Sequence, residues 1–195
     1  MQMILNTEPS TYIEKYKNAL TKDECENIIS YFENQPFHSN GKIGGKYDET
    51  KKSCLELPDL KFSNQKYEFI SNIIWKALIG CLEKYKKKYP EIDTLYYWNP
   101  ADLYNIQKYS TENDGYKIWH CEHGPFDRMS RRILVWMFYL NNAKSGTEFL
   151  RYPKVKFQLG DCLIWPASWT HMHKGETPNQ GIKYIATGWV EYNKI

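Results

Sequence analysis

His120 and Glu122 stand two positions apart, His173 lies far downstream, and Lys183 follows His173 by ten residues. In a β-strand side chains alternate between faces with period two, so the sequence predicts that His120 and Glu122 project together while Cys121 points away. A second imidazole brought in by a distant strand would place two histidines and one carboxylate on one face of a metal, leaving the remaining positions open to ligand and O2. That donor set suits non-heme Fe(II). A carboxylate turned into a barrel interior is costly unless a metal or cation neutralises it, which favours ligation over a solvated charge for Glu122.

These residues need a rigid frame, and the pattern of the chain supplies one. Thr21-Lys22-Asp23-Glu24 has the form of a capping box, and Cys25, Ile28, Ile29 and Phe32 follow at helical spacing, predicting a helix over residues 22–34. Over residues 64–88 the apolar positions from Phe69 to Tyr85 recur with the 3.6-residue period, predicting a second, long amphipathic helix. Between them, residues 38–54 carry Gly41, Gly44 and Gly45 among polar residues, which predicts a mobile loop. After Pro90 come short segments rich in Tyr, Trp, Val and Ile, divided by turn residues, so strands should dominate there, about eight of them by their spacing. Residues 132–140 are nearly continuously apolar, as a strand buried on both faces requires. Two helices packed outside a mostly β, double-stranded β-helix (jelly roll) core is the expected fold, in one domain spanning residues 1–195.

Composition narrows the function classes. A chain of 195 residues buries roughly 70% of its unfolded surface, so a substantial core is available. A net charge of +3 gives no nucleic-acid footprint, and Lys84, Lys86, Lys87 and Lys88 read as a solvated helix end complementing the helix dipole. Five cysteines, odd in number and without a CxxC pair, imply neither a disulfide framework nor a thiolate zinc site; a reducing cytoplasmic setting is expected, with no membrane partner.

His120-Cys121-Glu122, His173-Lys174-Gly175, Lys183, and Trp189 six positions beyond it resemble the Fe(II)- and 2-oxoglutarate-dependent dioxygenases, in particular their prolyl 4-hydroxylase branch. Tyr109, Gly115-Tyr116, Arg132, Tyr139-Leu140-Asn141, Gly146-Thr147-Glu148-Phe149 and Gly160-Asp161 match in the same order. The chain departs from the commoner pattern in placing Glu rather than Asp at position 122. It also offers two histidines near the distal position; the spacing to Lys183 and the His-x-Gly pattern favour His173, with His171 as the alternative.

The resemblance implies Fe(II) held by His120, Glu122 and His173, with 2-oxoglutarate and O2 as co-substrates and ascorbate as a further candidate reductant. It implies that Lys183 holds the far carboxylate of 2-oxoglutarate, with Tyr139, Thr187, Tyr109 and Trp189 around it; by period two, Lys183, Ile185, Thr187 and Trp189 share a face. It places Arg132 at the substrate. The expected activity is hydroxylation of peptidyl-proline with release of succinate and CO2, on an extended proline-containing peptide or protein covered by the 38–54 loop. Hydroxylation of a free amino acid or other small molecule is the alternative enzyme, and a non-enzymatic metal-binding jelly-roll module the alternative of another class.

Overall fold

The computed structural model describes residues 10–43, 45–110, 113–178 and 180–194. A short strand β1 (Glu14–Tyr16) leads into helix α1 (Lys22–Glu33). The capping box forms as the sequence spells it: Thr21 Oγ1 accepts from Glu24 N while Glu24 takes the Thr21 N–H. Four two-residue strands follow, β2 (Ser39–Asn40), β3 (Lys42–Ile43), β4 (Lys46–Tyr47) and β5 (Lys52–Ser53), then β6 (Leu55–Lys61). A 3-10 turn over Gln65–Tyr67 opens helix α2 (Glu68–Lys88), so the first turn of the expected long helix is the tighter form.

Beyond Pro90, among the described residues, come the eight strands the spacing suggests. They are β7 (Trp98–Tyr109), β8 (Gly115–His120), β9 (Arg132–Tyr139), β10 (Thr147–Phe149), β11 (Tyr152–Val155), β12 (Cys162–Pro166), β13 (His173–Gly175) and β14 (Lys183–Tyr192), with a short helix α3 (Asp127–Arg131) before β9. They form a seven-stranded sheet in the order β1-β12-β9-β14-β7-β6-β2 and a five-stranded sheet in the order β11-β10-β13-β8-β5. All their pairings are antiparallel. This is the expected mostly β jelly roll with helices on one side.

The strand period divides the core in two. On β9, Leu134, Trp136 and Phe138 join Ile28, Phe32, Ile74 and Leu78 of the helices in one cluster, while Val135 and Tyr139 belong to a second cluster with Trp165 and Ile185. β14 follows the same rule: Tyr184, Ala186 and Val190 lie toward the helices, and Lys183, Ile185, Thr187 and Trp189 line a cavity between the sheets. Gly188 allows the helix side to close, because a Cβ there would stand 2.4 Å from Trp136 Cζ2. Burial on both faces explains the continuous apolar run of β9.

The sequence reading misses β1 to β6. Residues 38–54 are not one irregular loop: β2 extends the large sheet beside β6, β5 extends the small sheet beside β8, and β3 and β4 pair as a hairpin of their own. Strands of two residues are too short to show a period, and pairing with a neighbouring strand decides them. No helix among the described residues is long and apolar enough to cross a membrane.

Candidate active site

β8 ends on His120 and β13 begins on His173, and the two are register partners across the small sheet, their ring centroids 4.3 Å apart. Glu122 joins them by a different route from the one expected. It lies beyond the end of β8, in a turn where its N–H and that of His123 both donate to Ala167 O at 3.0 and 2.9 Å. The alternation of a strand therefore does not bring Glu122 to His120; a turn pinned to the segment after β12 does. Cys121 likewise does not point away from them: it is half-buried, lines the same cavity, and its thiol donates to His123 O.

One ligand atom from each of His120, Glu122 and His173 falls within 4.8 Å of the others. His120 Nδ1 lies 3.0 Å from Ile118 O and His173 Nδ1 lies 2.9 Å from His171 O. A carbonyl can only accept, so each Nδ1 carries a proton and each Nε2 is the nitrogen turned toward Glu122. Glu122 Oε1 faces both, 3.5 Å from His120 Nε2 and 4.0 Å from His173 Nε2. Its other oxygen accepts from Arg132 NH1 at 2.8 Å and from Trp189 Nε1 at 3.0 Å. The carboxylate thus keeps one oxygen free and has the other held. Burial works against the charge of Glu122, but His120, Arg132 and His173 override it and hold the carboxyl well below its usual range. Burial, reinforced by His120, pushes His173 down to about 3, so its imidazole is neutral at ordinary pH. Two imidazoles and a carboxylate with adjacent free space fit a divalent transition metal.

The cavity holding these donors has a volume of about 440 Å³ and also takes in Lys183. Lys183 is 3% exposed and has no carboxylate of the described residues within ion-pair distance; its ammonium donates to Ser145 Oγ at 3.0 Å and Glu176 O at 2.9 Å. Burial pushes it down to about 8. A buried amine without a counter-ion, at the margin of a cavity, is complementary to an anionic ligand group. The ring of Tyr109 lies 4.7 Å from its Nζ. Tyr139 stacks on Phe157 and its hydroxyl is paired, 2.7 Å, with Thr147 Oγ1, which lines the cavity. Thr187 lines the cavity too, with its proton committed to Trp136 O at 2.8 Å.

Arg132 also borders the cavity, but its guanidinium grips Glu122 and stacks 3.6 Å over the ring of Trp189. Arg132 and Trp189, expected at the substrate and co-substrate, thereby reach the candidate metal donor Glu122 first. His171 is separated from the donors: it sits in a 3-10 turn, its Nε2 on Thr11 O at 2.8 Å and its ring stacked on Tyr152. Sequence reasoning gives no role to Tyr116, which stacks on His120 with centroids 3.5 Å apart, nor to the buried Lys52, Glu56 and Gln107 that wall the cavity. The first was visible as Gly115-Tyr116; the others had no signal, since a Lys and a Glu four apart read as solvated charges. A larger open groove of about 720 Å³, lined by Tyr96, Tyr97 and Lys86 among others, lies apart from these donors and contains none of them.

A family profile described as the 2OG-Fe(II) oxygenase superfamily matches residues 104–191, the segment containing all three metal-donor candidates and Lys183. No curated protein matches the sequence. Among solved structures, a viral collagen prolyl hydroxylase from Paramecium Bursaria Chlorella virus-1, in complex with 2OG, superposes with a TM-score of 0.67 at 18% identity. The match covers 93% of this chain and 97% of that one. A prolyl hydroxylase from Trichoplax adhaerens, bound to a peptide fragment of hypoxia inducible factor, gives 0.72 at 13% identity, over 93% and 84% of the two chains. A Pseudomonas putida prolyl-4-hydroxylase gives 0.68 at 11% identity, over 93% and 94%. Residues 104–191 thus match the 2OG-Fe(II) oxygenase superfamily, whose chemistry uses Fe(II), 2-oxoglutarate and O2, and the chain shares the fold of the prolyl hydroxylases.

Proposed function

We propose that this single-domain enzyme hydroxylates peptidyl-proline, with Fe(II) held by His120, Glu122 and His173 and the far carboxylate of 2-oxoglutarate held by Lys183. The observation that carries the assignment is the cavity itself: two imidazoles and an anchored carboxylate border it, and so does a buried amine with no counter-ion among the described residues. Bound there, the metal with 2-oxoglutarate and O2 supplies the oxidising power to place a hydroxyl on an unactivated C–H, releasing succinate and CO2.

The chain's own part is binding and orientation. Glu122 offers Oε1 to the metal while Arg132 and Trp189 hold Oε2, so the open positions face a fixed direction. Lys183 supplies a charge-assisted partner in a site shielded from water, and the Tyr109 ring and the Thr147 and Thr187 side chains wall the co-substrate. Ascorbate would keep the metal ferrous between turnovers. Arg132, which borders the cavity, is our candidate for a substrate contact.

For the substrate, the support is the likeness to prolyl hydroxylases, one of them with a peptide bound, and a cavity bordered by Ile43, Pro58 and Met129 beside polar Ser39 and Asn105. An extended proline-containing segment presents a preformed shape with its ring exposed. The five free cysteines suit a reducing compartment, for which the cytoplasm is our assignment. The test is incubation with Fe(II), 2-oxoglutarate and proline-rich peptides, following succinate and the gain of one oxygen on the peptide by mass spectrometry. Peptide hydroxylation supports the reading. Oxygen transfer to free proline or another small molecule, with peptides untouched, would move the substrate class and leave the metal assignment standing.

A further inference from the structure

One wall of the cavity carries a buried ion pair to which neither the metal donors nor Lys183 contribute. Lys52 on β5 of the small sheet and Glu56 on β6 of the large sheet are each 4% exposed, and Lys52 Nζ donates to Glu56 Oε2 at 2.8 Å. The same oxygen accepts from Gln107 Nε2 at 3.1 Å, and Gln107 Oε1 accepts from the Tyr109 hydroxyl at 2.8 Å. Tyr109 in turn presents its ring to the Lys183 amine. A continuous chain of hydrogen bonds therefore leads from the ion pair to the residue beside the proposed co-substrate anchor.

The other end of the chain reaches the hairpin of β3 and β4. Glu56 Oε1 accepts from Lys42 N at 3.3 Å, and Lys52 Nζ lies 3.5 Å from Lys42 O. Gly41, just before the hairpin, is packed so closely that a Cβ would stand 2.5 Å from Cys54 Sγ and 2.9 Å from Lys52 Cε. Lys42, Ile43 and Gly45 border the cavity, so the hairpin is seated on the ion pair and edges the mouth. Desolvation offsets most of the attraction within a buried ion pair, which makes net stability a poor explanation for it. A fully satisfied network does fix geometry, because moving one member unseats the next.

We propose that Glu56 and Gln107 are positioning residues that couple the seating of the β3–β4 hairpin to the orientation of Tyr109 beside Lys183. Filling the Lys183 end with a dicarboxylate then tightens the hairpin, and a seated hairpin raises affinity for the dicarboxylate, since coupling between two sites is reciprocal. This rests on the reading of Lys183 as the 2-oxoglutarate anchor.

The hairpin carries exposed Lys42 and Lys46, which trypsin can report. In Mn(II)-loaded protein, 2-oxoglutarate should slow cleavage after these lysines at least about fivefold, whereas 2-oxobutyrate, which lacks the far carboxylate, should not. In Gln107→Met, saturating 2-oxoglutarate should no longer protect, and its KM should rise about three- to tenfold, the scale of one lost hydrogen bond, with Mn(II) affinity unchanged. Tyr109→Phe, which deletes only a hydroxyl, should uncouple protection in the same way and decides the matter if Gln107→Met does not fold. Full protection in a folded Gln107→Met or in Tyr109→Phe would overturn the proposal. So would wild-type protein that turns over 2-oxoglutarate without protecting the hairpin. Absence of any 2-oxoglutarate binding would instead defeat the underlying reading of Lys183.

Discussion

Replacing Lys183 with Met should weaken co-substrate binding strongly while changing ligand-free stability little. Burial lowers the amine from 10.5 to about 8, so holding it charged at neutral pH costs the ligand-free fold about 3 kcal/mol. Met removes that cost along with the hydrogen bonds to Ser145 Oγ and Glu176 O, worth about 1–3 kcal/mol together. The two effects nearly cancel, so ligand-free stability should change by less than about 2 kcal/mol. Loss of the charge-assisted pair should weaken 2-oxoglutarate by about 1.5–3 kcal/mol, roughly 10- to 150-fold in KM. Thermal unfolding with and without 2-oxoglutarate, beside a succinate assay, measures both quantities. Wild-type KM in Lys183→Met, or a fall in ligand-free stability well beyond 3 kcal/mol, would refute the reasoning and make Lys183 a structural residue. The pH dependence carries the same sign. Between about 8 and 10.5 the folded protein has released this proton and the unfolded chain retains it, so the contribution of Lys183 to stability rises with pH across that window. Affinity for 2-oxoglutarate should fall as pH passes about 8, a trend that Lys183→Met should lack.

His173→Ala should abolish turnover and weaken Fe(II) binding, measured by anaerobic titration. His171→Ala should retain metal binding and lose only about 1–2 kcal/mol of stability, from the bond to Thr11 O and the stacking on Tyr152. Trp189→Phe keeps an aromatic ring but removes the donor to Glu122 Oε2, and should cost about tenfold or more in metal affinity; wild-type affinity would show that Arg132 alone suffices to hold the carboxylate. Gly188→Ala places a methyl against Trp136 and should lower stability by about 1–3 kcal/mol in chemical denaturation, with the metal donors untouched.

Several parts of this protein follow from sequence alone. The capping box of α1, the apolar period of α2 and the continuous apolar run of β9 are local patterns, and each predicts its element because its physical cause lies within a few residues. His120, His173 and Lys183 were legible as candidates through residue type and spacing, and the period of β14 put Lys183, Thr187 and Trp189 on one face, where they line the cavity. Tertiary structure decided the rest. Glu122 meets the histidines through a turn held by Ala167 O, and Arg132 and Trp189 choose which of its oxygens is free. His171 is excluded by a 3-10 turn that aims it at Thr11, a contact 160 residues away in sequence. Strands β2 and β5 within 38–54 and the ion pair of Lys52 and Glu56 exist only because β6, β7 and β8 lie beside them. A side chain's partner across a sheet is set by strand register and by loops closed over long distances, and neither leaves a periodic mark in the residues it brings together.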